Sequence, residues 1–406
     1  MKRVLFVLLV VSAWSIPNRA QTAITVFEGA RVIVGDGRAA IENATIVVNG
    51  SRVAQVGRGA DVKAPAGATR VSLTGKTVMP AIIDTHTHLS QEREALTQDL
   101  RRRAYYGVSA AMSLGQDAGD LPFEMRAQTL PGAARFFTAG RGITMPEPGR
   151  SDVPYWITTV DEGRKAVQEL AAKKVDIVKI WVDDRDGKYK KLTPDLYRPI
   201  IEEAHKRSLR VTAHIFTLDD AKGLLRAGID AFAHGVRDRD IDDEGLALFK
   251  SRPNVVVVPN LPDRGVKTDV SWLRDSLPEA EFKKLQAGAI DRPELQGPFG
   301  IQARNLAKLN GAGVKIALGT DGNIPWSAHL EMADMVSSGM TPMQVIVAST
   351  RNAAEFLRMN DAGTIAANKS ADFIVLDANP LDDIANTRRI ASVYLRGVAV
   401  DRKARP

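Results

Sequence analysis

Residues 82–89 read IIDTHTHL, an apolar run that ends in two histidines separated by one residue. On an extended chain successive side chains alternate faces, so His86 and His88 point the same way and can grip one cation. Further along, the same pattern recurs. Short β-rich runs at 77–83, 108–114, 135–139, 175–182, 210–215, 231–233, 255–258 and 314–318 alternate with segments that carry helix signals. Thr193-Pro194 opens a helix around 197–205, Thr217 opens one closed by Gly228, and Thr341-Pro342 opens another. Eight such alternations predict an α/β fold, a (β/α)8 TIM-like barrel over 80–360, with its chemistry at the C-terminal ends of the strands.

The flanks have a different texture. Pieces at 24–27, 30–34, 44–48, 52–56 and 70–72 are short strands punctuated by Gly-Asp-Gly, Asn-Gly and Gly-Arg-Gly turns. Similar pieces return at 371–376, 390–395 and 398–400, broken by Asn379-Pro380 and Arg396-Gly397. Neither end can bury enough alone, so the two are expected to pair into a small β-sandwich, 21–79 with 361–406. The first twenty residues, MKRVLFVLLVVSAWSIPNRA, have a basic start and an apolar run over 4–14. That run is short of the roughly 20 residues a membrane span needs, so 1–20 reads as a cleaved signal peptide of an exported, periplasmic or secreted protein with no membrane attachment after cleavage.

Composition closes several routes. With 44% hydrophobic and 25% charged residues the chain has the balance of a folded globular protein. There is no Cys, which removes thiol nucleophiles, thiolate metal sites and disulfides, so a metal must be held by nitrogen and oxygen. The net charge of +7 includes Lys2, Arg3 and Arg19 at the extreme N-terminus and is too dispersed to argue for nucleic acid. No G-x-S-x-G run is present, so direct attack by water is preferred over an acyl-enzyme.

Four of the six histidines terminate strands: His86, His88, His214 in RVTAH and His234 in DAFAH. The last barrel strand, in KIALGTDG, delivers Asp321. Each alone has an ordinary reading, a satisfied core imidazole or a turn-forming Asp before Gly. Together they bring five nitrogen and oxygen donors to the face where barrel enzymes work, the geometry of a hydrolytic metal site. Lys179 lies in DIVKIWV, apolar on both sides, where a free ammonium is costly unless it pairs, for instance with Asp183 or Asp184, or is chemically altered.

The HTH at 86–88, Lys179, His214, His234 and GTDG at 319–322, wrapped by a β unit from both termini, resemble the amidohydrolase superfamily of metal-dependent hydrolases, binuclear type, over nearly the whole mature chain. KIWVDD and GMTPMQVIVAST point to its imidazolonepropionase-like and Xaa-Pro dipeptidase-like branch; Ala81 departs from the Gly usual there. The resemblance implies two divalent metal ions, Zn2+ first among them. His86, His88 and Asp321 would hold one, His214 and His234 the other, with a carbamate on Lys179 bridging both. It also implies hydrolysis of the amide bond of a dipeptide, an N-acyl amino acid or a cyclic amide by a metal-bridging hydroxide, with Asp321 as general base and acid. Two alternatives stay open: a mononuclear deaminase or imidazolone hydrolase in which Lys179 is structural, and a lactone or ester hydrolase on the same metals.

Substrate choice is expected from two long loops, 140–155 and 260–300. Arg237 can bind a substrate carboxylate or pair with Asp238 or Asp240; Trp181 and Tyr155 can line a pocket or belong to the core; His329 can touch substrate or be structural; His205 is given no function. The partner is a small-molecule amide, and association into a homo-oligomer is left open by the sequence.

Overall fold

The computed structural model describes residues 24–403, so the expected signal peptide lies outside the described residues. Ten parallel strands fall into two sheets. One runs Ile82–Thr87, Val108–Ser113, Arg135–Thr138. The other runs Tyr155–Trp156, Ile143–Thr144, Val178–Val182, Val211–Ile215, Ala231–Phe232, Val256–Val257, Lys315–Ile316. Their ends meet. Thr85 donates its N–H to the Leu318 carbonyl (3.0 Å), Thr87 bridges Gly322 in parallel, and Gly142 donates to the Gly115 carbonyl (2.8 Å).

Helices follow most of these strands, and their starts obey local chemistry. Thr159 and Glu162 form a reciprocal capping box ahead of Val160–Ala172, and Thr341 with Gln344 does the same ahead of Pro342–Val347. Thr217 caps Leu218–Ala227, which ends at Gly228 in the left-handed region (φ 94°). Thr193 opens Pro194–Lys206 through the preset φ of Pro194, not through a side-chain cap.

Both chain ends contribute to one eight-stranded sheet, in the order Val398–Ala399, Ile390–Leu395, Phe373–Leu376, Thr77–Pro80, Ile24–Val32, Ile41–Asn49, Arg52–Arg58, with Thr69–Ser72 added to Ile24–Val32. Phe373–Leu376 lies antiparallel to Thr77–Pro80, so a C-terminal strand closes onto the chain just before the first barrel-type strand. Phe373, fully buried, meets Phe27 edge-on (5.2 Å) and stacks on Tyr394 (4.9 Å).

Three expectations need correction. The run 77–83 is two strands, not one. Thr77–Pro80 belongs to the terminal sheet, Ala81 donates to the Asp372 carbonyl, and only from Ile82 does the chain join the parallel set, through the Gly107 carbonyl. Pro80 has no N–H to continue either ladder, so the switch falls there. Loop 140–155 contains two two-residue strands. Loop 260–300 contains helix Glu279–Gly288 and the start of Gln296–Gly311, and its Leu273, Leu277 and Phe282 pack with Tyr105, Tyr106 and Trp326. Among the described residues no helix is long and apolar enough to cross a membrane.

Phe373→Ala is expected to cost about 3–5 kcal/mol, the usual loss for a buried aromatic, because it empties the contact that staples the C-terminal strand to the N-terminal sheet. Urea unfolding of the purified chain measures it; a loss below about 1 kcal/mol would show that the two ends are not coupled there.

Candidate metal centre and active site

The centre is built from strand ends. His86 closes Ile82–Thr87 and is fully buried; His88 follows it with a side chain 31% exposed. Asp321 sits just beyond Lys315–Ile316 in the left-handed region (φ 53°), its N–H donating to the His86 carbonyl (2.8 Å). Gly319 permits this approach: a Cβ there would lie 2.7 Å from the Cβ of His86 and 2.5 Å from Val258. The Asp321 turn is held from two further directions. The buried Asp84 carboxylate accepts from Thr320 Oγ1 (2.7 Å) and Thr320 N (3.1 Å), and the buried Arg103 donates to the carbonyls of Gly322 (2.9 Å) and Ile324 (3.3 Å).

Around the Asp321 carboxylate three imidazoles converge. Nε2 of His86 lies 3.1 Å and Nε2 of His88 3.0 Å from Oδ1, and Nε2 of His234 3.5 Å from Oδ2. His86 donates its Nδ1–H to Asn260 Oδ1 (2.9 Å), which leaves the Nε2 lone pair free to face inward. His214 adjoins this group, its ring 4.4 Å from that of His234. Its Nε2 faces Asp183 Oδ2 (2.7 Å), Arg185 Nη1 (2.9 Å) and Arg237 Nη2 (3.4 Å).

Lys179 is fully buried, and its Nζ has no hydrogen-bond partner among the described residues. It lies 5.3 Å above the Trp181 ring, which is pressed against Gly142 and Gly115; a Cβ on Gly142 would come within 2.0 Å of that ring.

Electrostatics follow from burial. Desolvation, helped by Arg237 and Arg185 and opposed by Asp321, brings the Lys179 ammonium down to about 7. Desolvation, with Lys179 nearby, lowers His86 to about 4 and puts His214 well below its ordinary value; His234 is lowered as far by burial and the His214 charge. Burial alone would raise Asp321, but wherever His86, His88 or His234 carries a proton towards it the imidazoles outweigh burial and hold the carboxyl well below the usual carboxylate range. The centre therefore combines neutral imidazoles, an ionised carboxylate and an amine that is readily neutral. One donor atom from each of His86, His88 and Asp321 falls within 4.8 Å of the others. Such clustering of lone pairs, with no thiolate, fits a divalent cation held by nitrogen and oxygen.

Most of the expected residues are gathered here: His86, His88, Asp321 and His234 tightly, His214 and Lys179 beside them, Trp181 as a wall. Lys179 does not pair with Asp183 or Asp184, because Asp183 is engaged by Arg185 and His214 and Asp184 by Lys191 and Gly187. Arg237 pairs with neither Asp238, taken by Arg239, nor Asp240, taken by Arg304. Two residues take the structural side of their expectation. Tyr155 packs against the hydrophobic core, under the Arg141 guanidinium (4.1 Å) and bonded to Glu169. His329 spends both ring nitrogens elsewhere, donating Nε2–H to the Tyr106 carbonyl (2.9 Å) and accepting at Nδ1 from Thr387 (3.0 Å). The sequence reading missed Asn260, Asp84, Arg103 and Arg185, and it gave Asp183 only as a partner for Lys179. Asn260 had a signal, a polar side chain directly after the apolar run VVVVP; Arg185 had little, one charge among several in DDRDGK.

Parallel strands alternating with helices, with histidines and an aspartate assembled at the strand ends, define the class of metal-dependent hydrolases. A family model described as "Amidohydrolase family" matches residues 77–400, and the chain belongs to that family, in its imidazolonepropionase-like and Xaa-Pro dipeptidase-like branch. It is a metal-dependent hydrolase acting on carbon–nitrogen bonds. The chain is 26% identical over 385 residues to imidazolonepropionase of Streptomyces coelicolor, covering 88% of this chain and 92% of that one. It is 24% identical over 438 residues to ochratoxinase of Aspergillus niger, covering 91% and 84%. A solved structure of a prolidase candidate from Bifidobacterium longum superposes with a TM-score of 0.77 at 25% identity, covering 93% of this chain and 95% of that one.

The burial of Lys179 has a measurable sign. Its depressed value penalises folding below the ordinary lysine range, fully below pH 7 and not at all above about 10.5, at about 1.4 kcal/mol per unit of depression. In metal-free, CO2-free protein Lys179→Met is therefore expected to raise stability by a few kcal/mol at pH 6 and by much less at pH 10. Denaturant unfolding of both proteins at the two pH values checks this, and an equal gain at both would contradict it.

Proposed function

We propose that this chain is an exported binuclear amidohydrolase that cleaves an amide bond in a dipeptide, an N-acyl amino acid or a cyclic amide. The observation that carries the reading is the unpartnered, buried Lys179 amine beside the His86, His88, His234 and Asp321 group. A neutral amine can add carbon dioxide, forming an N–C bond and releasing a proton, and the resulting carbamate replaces a costly buried cation by an anion that cations can share. His86, His88 and Asp321 would hold one divalent ion, His214 and His234 the other, with the Lys179 carbamate common to both and Zn2+ the expected metal. When bound, such ions supply Lewis acidity towards water and the scissile carbonyl.

What the protein's own groups do is distinct. Asp321, kept ionised, accepts the proton of the attacking water and returns it to the leaving nitrogen as the C–N bond breaks. Asn260 fixes the His86 tautomer. Trp181 walls Lys179 off from water. The scaffold for this chemistry is proposed to be a closed (β/α)8 barrel over 80–360 with a small β-sandwich from 21–79 and 361–406; the contacts of Thr85 with Leu318 and Thr87 with Gly322, linking first and last strands, support closure. Export rests on the basic, then apolar, first twenty residues.

Purified mature protein with two equivalents of zinc, screened against dipeptide and N-acyl amino acid libraries, tests the reaction; turnover of lactones or phosphotriesters with none of any amide would overturn it. Within that assay Asp321→Asn is expected to lower kcat by about 10²–10⁴-fold, the span of a lost general acid and base. Metal content measured on the same sample separates a lost proton carrier from a lost ion.

A further inference from the structure

A cleft of about 280 Å³ opens where both chain ends meet the parallel strands, at the end remote from the histidines. Arg135, in its wall, is the first residue of Arg135–Thr138, which runs parallel to Val108–Ser113 and so to Ile82–Thr87, whose far end carries His86. Two turns form the rest. Ser51 and Arg52 lie at the turn into Arg52–Arg58, and Arg396 in the turn between Ile390–Leu395 and Val398–Ala399. Residue 371 ties these turns together: its N–H donates to the Ser51 carbonyl (2.9 Å), and its carbonyl accepts from Gly397 (3.0 Å).

Four cations gather here against two carboxylates. Arg135 pairs with both acids, Asp361 Oδ1 (2.9 Å) and Asp372 Oδ2 (3.1 Å). The other three cations are answered by main-chain carbonyls. Arg396 Nη2 donates to Leu130 (3.0 Å) and Ala133 (3.2 Å), Arg52 Nη1 to Asn368 (2.6 Å) and Lys369 Nζ, next to Ser370, to Asn360 (2.5 Å). None of these three forms an ion pair among the described residues. At longer range Asp372 offsets part of the Arg396 charge, against burial and Arg135, and Arg52 acts on Asp361, so the count belongs to the whole group: a surplus of two positive charges. A carbonyl positions a guanidinium without neutralising it, and the unspent N–H groups of Arg52 and Arg396 stay charged in the cleft wall. Arg396 is held there against strain. Its backbone is left-handed (φ 52°), a conformation non-glycine residues avoid, its N–H donates to Asp372 Oδ1 (2.6 Å), and its side chain crosses from the terminal sheet to Leu130 and Ala133.

We propose that this cleft binds a small phosphate-bearing anion, free phosphate or a small phosphomonoester, at a site separate from the metal centre and with no part in hydrolysis. Cationic donors reach it from three elements and so from different directions, which suits the three outer oxygens of a tetrahedral dianion; a planar carboxylate is satisfied by one guanidinium fork. Two negative charges also match the surplus. Ser51 and Ser370 add hydroxyls to the walls. The volume lies just below the roughly 300–1,000 Å³ of pockets for drug-sized ligands, so the ligand is small. Once bound, it cross-links the N-terminal turn, the C-terminal turn and the start of a parallel strand, and stabilises the fold by mass action.

Calorimetric titration at low salt tests this, on the purified protein both zinc-free and zinc-loaded, with inorganic phosphate, glycerol 3-phosphate and succinate as probes. An anion that settles on metal ions binds only the zinc-loaded form; one that enters the cleft binds both. A phosphate probe is expected to bind both forms at one site per chain and to raise the thermal midpoint. Succinate, a dianion without tetrahedral oxygens, should bind at least 10-fold more weakly. Arg396→Gln and Arg52→Gln should each weaken phosphate binding by about 10-fold or more, the worth of a charge-assisted hydrogen bond, while zinc content is unchanged. Arg396→Lys should recover part of the loss. Because Arg396→Gln also removes two carbonyl contacts, thermal unfolding without anion shows whether it is folded, and Arg52→Gln carries the test if it is not. Tighter binding of glycerol 3-phosphate marks the ligand as a phosphomonoester, and tighter or equal binding of inorganic phosphate marks it as the free ion; both support the site. No binding, binding that needs zinc, binding that survives both glutamine substitutions, or succinate as tight as phosphate would overturn it.

Discussion

The fold places the amine of Lys179 where an ammonium is costly. Val178, Ile180 and Val182 on the same strand are fully buried in the apolar core, so the strand cannot shift to let the side chain reach water. Taking a charge out of water costs several kcal/mol even after relaxation, and among the charges acting on Lys179 only Asp321 offers compensation, while Arg185 and Arg237 work against it. The amine therefore loses its proton readily, near neutral pH, and that sets the chemistry of its surroundings. Imidazoles packed against it are neutral for the same reason, and neutral imidazoles with inward lone pairs are ligands. Asp321 is the counterweight, an ionised carboxylate drawn in by those same rings.

Precision at this centre comes from outside it. The parallel strands bring the donors to within a few ångströms, but their orientation is decided by a second ring of contacts. Asn260 takes the Nδ1–H of His86; Asp84 anchors Thr320; Arg103 grips the two carbonyls that follow Asp321. Asn260 is itself secured, since Glu331, on helix Ser327–Ser337, accepts the N–H of Leu261 with both carboxyl oxygens (3.2 and 3.1 Å). Burial pushes the Glu331 carboxyl well above its usual range. Each link is short and directional, and together they tie helix Ser327–Ser337 to the first histidine strand.

What could be read from the chain divides along physical lines. Donors that end strands were legible because strand ends are marked twice, by the apolar run and by the polar residue that breaks it; His86, His88, His214, His234 and Asp321 all carry that mark. His329 was ambiguous because nothing local reveals a partner at Thr387, 58 positions away. Arg237 was ambiguous in the same way, since Asp238 and Asp240 are close in sequence but are claimed by Arg239 and Arg304. Glu279–Gly288 escaped notice because Phe282 is its one buried residue, too little for a helical period to show. The division of 77–83 turned on Pro80, whose missing N–H matters only when the competing sheet is known to lie alongside.

A separation of duties follows from where each group sits. The candidate ligands stand on, or just past the ends of, strands that share the core, so moving one disturbs the packing of the others. Arg185, Asp183 and Glu147 stand on turns, joined to one another across two loops that are also bridged by the Tyr189 hydroxyl donating to the Pro148 carbonyl (3.0 Å). Left-handed backbone at Arg185 and Asp186 is tolerable because the ion pairs with Asp183 and Glu147 hold Arg185 in place, whereas the same strain within a strand would break its ladder. A change in these turns can therefore be made at small cost to the fold, while the centre beneath them keeps its frame of strand ends.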